Sequence, residues 1–256
     1  MNFSKKRVAL FLVAIFPITL LLTACDPKPL LDLQEYRGFR FEVLEAEDGR
    51  GRAVAITAYF GDAVDIAIPT HIRGMPVTEI WGISGGSTRI ERVHIPDSVT
   101  VITYSGFFGH SLTEVTIPKN ITVIYHWVFA HNLLKNVAIS DNVTEIGQGA
   151  FAVNEIKDLT IGGNVAVIDR NAFRRNRLKS VAIPDSVSFI GTWAFRENDI
   201  TEITIGSSVF LEGYDFNWPT LPYVFPHGFD DFYREHGSRA GTFTFDGYRW
   251  HAEFRE

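Results

Sequence analysis

The sequence predicts a mainly β solenoid, capped at both ends, in which short parallel strands stack and tight turns or single 3₁₀ turns join them. Three observations carry this. Apolar residues recur every 22 positions from Ile90 onward, a three-residue in-out-in alternation recurs inside each unit, and an Ala-Phe pair or a close relative closes it. A fixed period in this range means that each unit buries its apolar face only against its neighbours.

The units begin at Ile90, Leu112, Leu134, Ile156, Leu178 and Ile200. In the unit Leu134–Glu155, Leu134, Val137 and Ile139 occupy positions 1, 4 and 6, Val143 and Ile146 positions 10 and 13, and Ala150-Phe151 positions 17 and 18. Val137-Ala138-Ile139 alternates as a short strand does, with β-branched residues inward. Its copies are Val93-His94-Ile95, Val115-Thr116-Ile117, Leu159-Thr160-Ile161, Val181-Ala182-Ile183 and Ile203-Thr204-Ile205. Stacked, these triplets predict one parallel sheet running the length of the coil. Pro96, Pro118 and Pro184, or Gly162 and Gly206, end each strand and turn the chain. A second short strand is expected at Val143–Ile146 and its copies. Positions 14 to 18 are too short for a full α-helix, so a turn or one 3₁₀ turn carries the inward Phe. Phe107, Phe129, Phe151, Phe173 and Phe195 are then expected to stack as an internal column.

Position 21 holds Asn132, Asn154, Asn176 and Asn198, with His110 one unit earlier. An amide at an inner bend satisfies backbone groups of its own turn and the next one, groups that buried chains almost always pair. A glycan or ligand ladder is the rival, but Asn132 and its equivalents sit in no glycosylation acceptor pattern. The structural role is the expectation.

The consensus L-x-x-V-x-I-P-x-x-V-x-x-I-x-x-x-A-F resembles the BspA-type leucine-rich repeats, a family common in surface proteins of oral and gut bacteria and found in some protists. The resemblance covers residues 63–205 and makes the fold class a leucine-rich repeat solenoid. An earlier unit of 27 residues, starting at Ala63, also fits: it carries Ile66-Ala67-Ile68-Pro69, and five residues are inserted after Ile72. Ser84-Gly85 stand where Ala-Phe belongs, and Gly106 and Val128 replace the Ala of two further units.

Lys5-Lys6-Arg7, an apolar run from Val8 to Leu22 and small residues before Cys25 form a secretion signal over residues 1–24. The apolar run is too short for a comfortable membrane span. Leu22-Thr23-Ala24-Cys25 resembles the lipobox of bacterial lipoproteins, which makes Cys25 the lipidation site and the membrane contact a lipid anchor only. Cys25 is the only cysteine, so no internal disulfide forms despite export. Loss of the signal removes three positive charges and takes the net charge from −6 to −9. An acidic exported chain argues against nucleic acid as a partner.

Residues 25–35, with Pro27 and Pro29, read as a tether, and residues 36–62 as an N-terminal β cap. In that cap Phe39–Val43 and Ala53–Tyr59 are strands around Glu47-Asp48-Gly49-Arg50-Gly51, a hairpin over the open sheet end. Residues 206–256 read as the C-terminal cap. Phe229–His236 is one amphipathic helix ending at Gly237, and Thr242–Phe245 and Tyr248–Ala252 pair around Asp246-Gly247. Solenoids need atypical terminal units to close their cores; a separate sugar-binding or catalytic module of about 50 residues is small for an independent domain.

Searches for Gly-x-Ser-x-Gly, His-Glu-x-x-His, a P-loop and a dinucleotide glycine pattern find none. No catalytic residue, metal site or cofactor is expected. His110, His126 and His131 fall on neighbouring turns but lack the accompanying Cys or carboxylate pattern of a metal site. Asp230-Asp231 read as a solvated face or a cap rather than a catalytic pair.

Three surfaces remain for binding. The outward strand column His94, Thr116, Ala138, Thr160, Ala182 and Thr204 is small and flat. The bend carries Tyr104, Tyr125, His126, Trp127 and Trp193, which either pack over the ends of the core or form a recognition patch. Arg170, Arg174, Arg175, Arg177, Lys179 and Arg196 form a basic cluster on an acidic protein, either a solvated edge or a dock for an anionic glycan or acidic protein segment. The family resemblance implies a non-enzymatic cell-surface protein that recognises protein ligands, host matrix proteins such as fibronectin and fibrinogen or other bacteria. A periplasm-facing envelope scaffold is the alternative, and a hydrolase in the aromatic tail the remoter one.

Overall fold

The computed structural model describes residues 35–45, 51–83, 89–207, 209–212 and 223–255. The signal segment, Cys25 and nearly all of the tether lie outside them, as do Ser84-Gly85 and Glu47–Arg50.

At the N-terminal end β1 (Glu35–Tyr36), β2 (Phe39–Glu45) and β3 (Arg52–Tyr59) form an antiparallel sheet. The 27-residue unit contributes β4 (Asp65–Ala67), β5 (His71–Ile72) and β6 (Met75–Ile80). Its five-residue insertion is a tight hairpin: β5 and β6 are antiparallel, and Arg73 and Gly74 between them both have positive φ, 51° and 80°. Two such residues match the right-handed twist of the flanking strands.

Each later unit supplies two short strands. They are β7 (Arg92–His94) and β8 (Val101–Ile102), β9 (Glu114–Val115) and β10 (Val123–Ile124), and β11 (Asn136–Ala138) and β12 (Glu145–Ile146). The series continues with β13 (Asp158–Thr160) and β14 (Val167–Ile168), β15 (Ser180–Ala182) and β16 (Phe189–Ile190), and β17 (Glu202–Ile205) and β18 (Phe210–Leu211). Where copies one turn apart pair, they do so in parallel.

The expected single sheet of in-out-in triplets is divided. That column forms three pieces, β4-β7-β9, β11-β13 and β15-β17, while the second strand column forms two, β6-β8 and β10-β12-β14-β16-β18. From β10 onward the second strand is only two residues long yet pairs with every following copy. In the first column Ile68, Ile139 and Ile183 still donate to the carbonyls of His94, Thr160 and Thr204 at 2.7–2.9 Å.

The Phe column stacks at ring-centroid distances of 5.7, 5.4, 5.4 and 5.3 Å from Phe107 to Phe195, all five rings fully buried. The bend carrying it consists of two successive i→i+3 turns, such as Ala150 N–H to Gly147 O and Ala152 N–H to Gly149 O. It is no 3₁₀ turn, because position 16 is left-handed in the five units whose bend is described: Ser105, Trp127, Gly149, Asn171 and Trp193 have φ between 58° and 63°. Position 20 is left-handed too, at Gly109, His131, Val153, Arg175 and Glu197. Side chains there cost on the order of 1–2 kcal/mol each. Ladder bonds offset that cost, for example Phe151 N–H to Ala172 O at 2.8 Å and Val153 N–H to Arg174 O at 2.8 Å.

The repeat does not stop at Ile205. Val209 is buried at position 10, Leu211 pairs with Ile190, and after an interruption Val224-Phe225 take the Ala-Phe place. Phe195 N–H bonds Val224 O at 2.9 Å, and the Phe225 ring stacks on Phe195 at 4.9 Å. The helix α1 (Phe229–Glu235) then covers this last turn through Phe229 and Tyr233. It gives way to Gly237, whose φ is 72°. Finally β19 (Gly241–Phe245) pairs antiparallel with β17, and β20 (Trp250–Phe254) with β19. The second strand of this hairpin starts at Trp250 rather than Tyr248. The Asp246 carboxylate accepts the N–H groups of Tyr248 and Arg249, both at 2.9 Å, and so widens the turn.

Candidate functional site

The Asn column is spoken for by the backbone. Asn132, Asn154, Asn176 and Asn198 accept the N–H of Leu112, Leu134, Ile156 and Leu178 at 3.0–3.1 Å. Their amides donate to the carbonyls of Phe107, Phe129, Phe151 and Phe173 at 2.8–3.0 Å, and to the Phe of their own turn. The partner turn is therefore the preceding one, not the next. All four are buried, so they present nothing to a ligand. A second column, at position 9, escaped the sequence reading: Asn120, Asn142 and Asn164 donate to Asp97 O, Lys119 O and Asp141 O at 2.5–2.8 Å. Its signal was the same residue type every 22 positions.

The basic cluster is largely self-neutralised. Arg170 Nε donates to Glu212 at 2.7 Å, Arg177 to Glu155 at 2.6 Å, and Arg174 and Arg175 share Glu197, with Arg174 Nε at 2.9 Å from its carboxylate. Arg175 and Arg174 hold the Glu197 carboxyl below its ordinary range. Arg170, helped by Thr192, brings Glu212 to about 2. Two of these pairs were legible in the sequence, because Glu155 and Arg177, like Arg175 and Glu197, are 22 residues apart and so adjacent on the coil. Glu212 was hidden behind the irregular end of the last unit. Lys179 is exposed at the start of the next strand region.

Trp193 lies at the centre of what remains. The guanidinium carbons of Arg174 and Arg196 stand 5.5 and 5.6 Å from its ring centroid, within cation–π range. Trp193 is half-buried and Arg196 exposed. At the other end of the bend Tyr104 is 59% exposed and meets Tyr125 and His126 edge-on at 5.6 and 5.0 Å. Tyr125 and Trp127 are half-buried. The Trp127 ring covers Gly149, where a Cβ would come within 2.5 Å of it, so this ring packs over the bend.

The outward strand column is exposed at His94, Thr116, Ala138, Thr160 and Ala182. Thr204 is covered, its hydroxyl 3.1 Å from that of Thr242. A shallow depression follows this face past Thr160, Ala182 and Pro184 and ends at Arg255.

His126 approaches Asp169 at 3.9 Å and His131 lies against Phe108. Among the described residues no three His, Cys, Asp or Glu side chains come together to hold a metal. Asp230 and Asp231 diverge. Asp231 pairs with Arg234 at 3.0 Å, whereas Asp230 is fully buried and accepts the N–H groups of Val224 and Phe225 at 2.6 and 3.1 Å. Burial pushes the Asp230 carboxyl up to about 6. It is neither solvated nor a cap on its own helix, but the clamp of the last repeat turn.

The pattern of the BspA type leucine rich repeat region matches six copies over residues 85–213. The pneumococcal vaccine antigen PcpA is similar in structure, with a TM-score of 0.58 and 20% identity; the match covers 70% of this chain and 51% of that one. The chain thus spans about half the length of that structure. A leucine rich cell surface protein from Faecalibacterium prausnitzii aligns at a TM-score of 0.48 and 24% identity, over 67% of this chain and 56% of that one. A leucine rich repeat protein of T. pallidum aligns at 0.43 and 19%, over 77% and 93%. Among curated proteins none matches. With six copies of the motif over half its length, stacked as a β solenoid, this chain belongs to the BspA type leucine-rich repeat family.

Proposed function

We propose that the protein is a lipid-anchored bacterial surface protein without enzymatic activity, which binds a protein ligand, a host matrix protein or a protein on another bacterium, through the bend edge of its solenoid. One observation carries the choice of edge. Trp193 flanked by Arg174 and Arg196 brings together the residue types that dominate protein-binding hot spots, on a rigid coil and partly open to solvent. Lys179 adds a further positive charge nearby in the repeat. The self-paired Arg170, Arg175 and Arg177 serve mainly to order the edge, each exposed pair contributing about 0–1 kcal/mol. Tyr125 and Trp127 extend the same bend towards the N-terminal end. The anchor rests on Cys25 and its lipobox-like context.

The test is binding to immobilised fibronectin by the full chain and by Arg174→Glu/Arg196→Glu, at low and physiological ionic strength. Wild type is expected to bind, more weakly as salt rises, and the variant to lose binding. Equal binding by the two proteins would overturn this assignment of the edge. Cys25→Ser is expected to release the protein from the membrane fraction, and unchanged retention at normal mature size would remove the anchor.

A further inference from the structure

Four turns carry asparagine at position 21, and one carries His110. A single departure from a repeated rule is where function is to be sought. Like the asparagines, His110 accepts the N–H of the first residue of its own unit: Ile90 N lies 3.3 Å from its Nδ1. That bond sets the tautomer, because Nδ1 must be unprotonated to accept, and the ring proton of neutral imidazole then sits on Nε2. Burial, followed by the nearby Arg89 charge, lowers the His110 pKa and so favours this neutral form.

His110 is 8% exposed, and its buried Nε2 has no hydrogen-bond partner among the described residues. Leaving a buried donor unmade is costly, and native structures rarely do so without a reason. An asparagine at this position would face no such difficulty, as its four relatives on the same ladder demonstrate.

The same residue lines an open depression on the position 19–22 edge, together with Arg89, Phe108, Ser111, His131 and Leu133. Its two halves differ in character. Phe108 and Leu133 are 42% and 44% exposed, unusual for large apolar side chains, and His131 leans on Phe108 at 4.9 Å. Arg89 supplies positive charge and donors, and the His110 Nε2 a further donor beside the His131 ring, while no acidic side chain lines the depression among the described residues. A site of donors without an acid is complementary to an anionic acceptor, and Arg is well shaped for a carboxylate.

We propose that this depression binds the carboxylate of a Glu or Asp side chain on a protein partner, with a neighbouring apolar residue of that partner packed on Phe108 and Leu133. It lies on the same edge of the coil as Trp193 and presupposes that this edge meets protein, but it uses none of the Trp193 cluster.

The probes are two capped dipeptides, N-acetyl-Leu-Glu-amide and N-acetyl-Leu-Gln-amide, with sodium acetate as a third. Each is titrated into the full chain labelled with ¹⁵N-histidine, and the imidazole resonances are followed by NMR. Leu-Glu is expected to shift His110 and His131 saturably, Leu-Gln to need at least about tenfold more, and acetate to fall well short of Leu-Glu. His110→Asn returns the ladder to its rule. It is expected to keep or raise the melting temperature while weakening Leu-Glu binding, read at His131, by about fivefold or more. Arg89→Gln, at an exposed residue, should weaken it similarly. Equal titration by Leu-Glu and Leu-Gln, or His110 unmoved throughout, would overturn the carboxylate site. Saturation by acetate at the same concentration would overturn its apolar half. Arg174→Glu/Arg196→Glu should leave these titrations unchanged, so failure at fibronectin and failure here are separable.

Discussion

A central turn and the last turn of this solenoid solve one problem with different chemistry. In the turn that carries Phe151 and Asn154, the amide both accepts the N–H of Leu134 and donates to the carbonyls of Phe129 and Phe151. The last turn carries Phe225 in the same stack, but Asp230 on the helix accepts the N–H groups of Val224 and Phe225. A neutral amide suits a stack that continues, because it has a donor and an acceptor to offer to successive turns. A carboxylate only accepts. It suits a terminus with N–H groups to satisfy, and it makes the closure of the coil titratable where the asparagine rungs are not.

If the last turn is core rather than appendage, Phe225→Ala should cost about as much as Phe151→Ala, on the order of 3–5 kcal/mol each. Denaturant unfolding of both variants checks this, and a near-neutral Phe225→Ala would break the equivalence. Asn154→Ala should cost somewhat less, about 2–3 kcal/mol, since it strands the buried Leu134 N–H and two carbonyls; the same method reads it.

The titration difference sharpens the comparison further. With a folded value of about 6 against an ordinary 3.8, Asp230 binds more protons folded than unfolded. Its contribution is therefore fully present below about pH 4 and lost as pH rises through about 6, by roughly 2–3 kcal/mol. Melting temperatures of wild type and Asp230→Asn between pH 4 and 7 should show a flatter dependence in the variant. An identical dependence would remove Asp230 as the cause. Glu212 acts in the opposite sense: held at about 2, it stabilises above its ordinary 4.5 and loses that contribution as pH falls towards 2. The smallest effect is expected at the edge. Glu197→Gln should change stability by less than about 1 kcal/mol, because its arginine pairs are partly solvated. A larger loss in a thermal melt would make the edge structural.

The two ends also differ in which strand they cover. At the N-terminus β3 runs parallel beside β6, in line with the second strand column. At the C-terminus β19 runs antiparallel beside β17, on the first column. Hairpin signals around Glu47–Gly51 and Asp246-Gly247 announced both caps, yet nothing local says which column each joins. That choice is made by which edge the chain can reach and cover.

Legibility followed the period. Phe107 to Phe195 and Asn132 to Asn198 could be read directly, because residues 22 apart are spatial neighbours in a coil and a column of one residue type is a column of contacts. The same rule would have paired Arg177 with Glu155 and Arg175 with Glu197, and so tempered the basic cluster. It fails where the period breaks. Val224-Phe225 complete a repeat across an interruption that no spacing rule spans, and Arg170 finds Glu212 only through that irregular end. The left-handed residues were likewise invisible, since Trp127, Val153 and Trp193 are not types that invite positive φ. They adopt it because the ladder bonds on either side over-determine the backbone.

By itself the sequence determined the solenoid, its register and its interior, since a repeated apolar pattern can be buried only by stacking copies of itself. Tertiary structure alone decided that Glu212 neutralises Arg170, that Asp230 is a buried clamp, that the first sheet is divided, and that His110 keeps a donor unpaired among the described residues beside an exposed Phe108. Those depend on residues brought together by turns of unequal length and by a cap outside the repeat, where proximity in space no longer follows from position in the period.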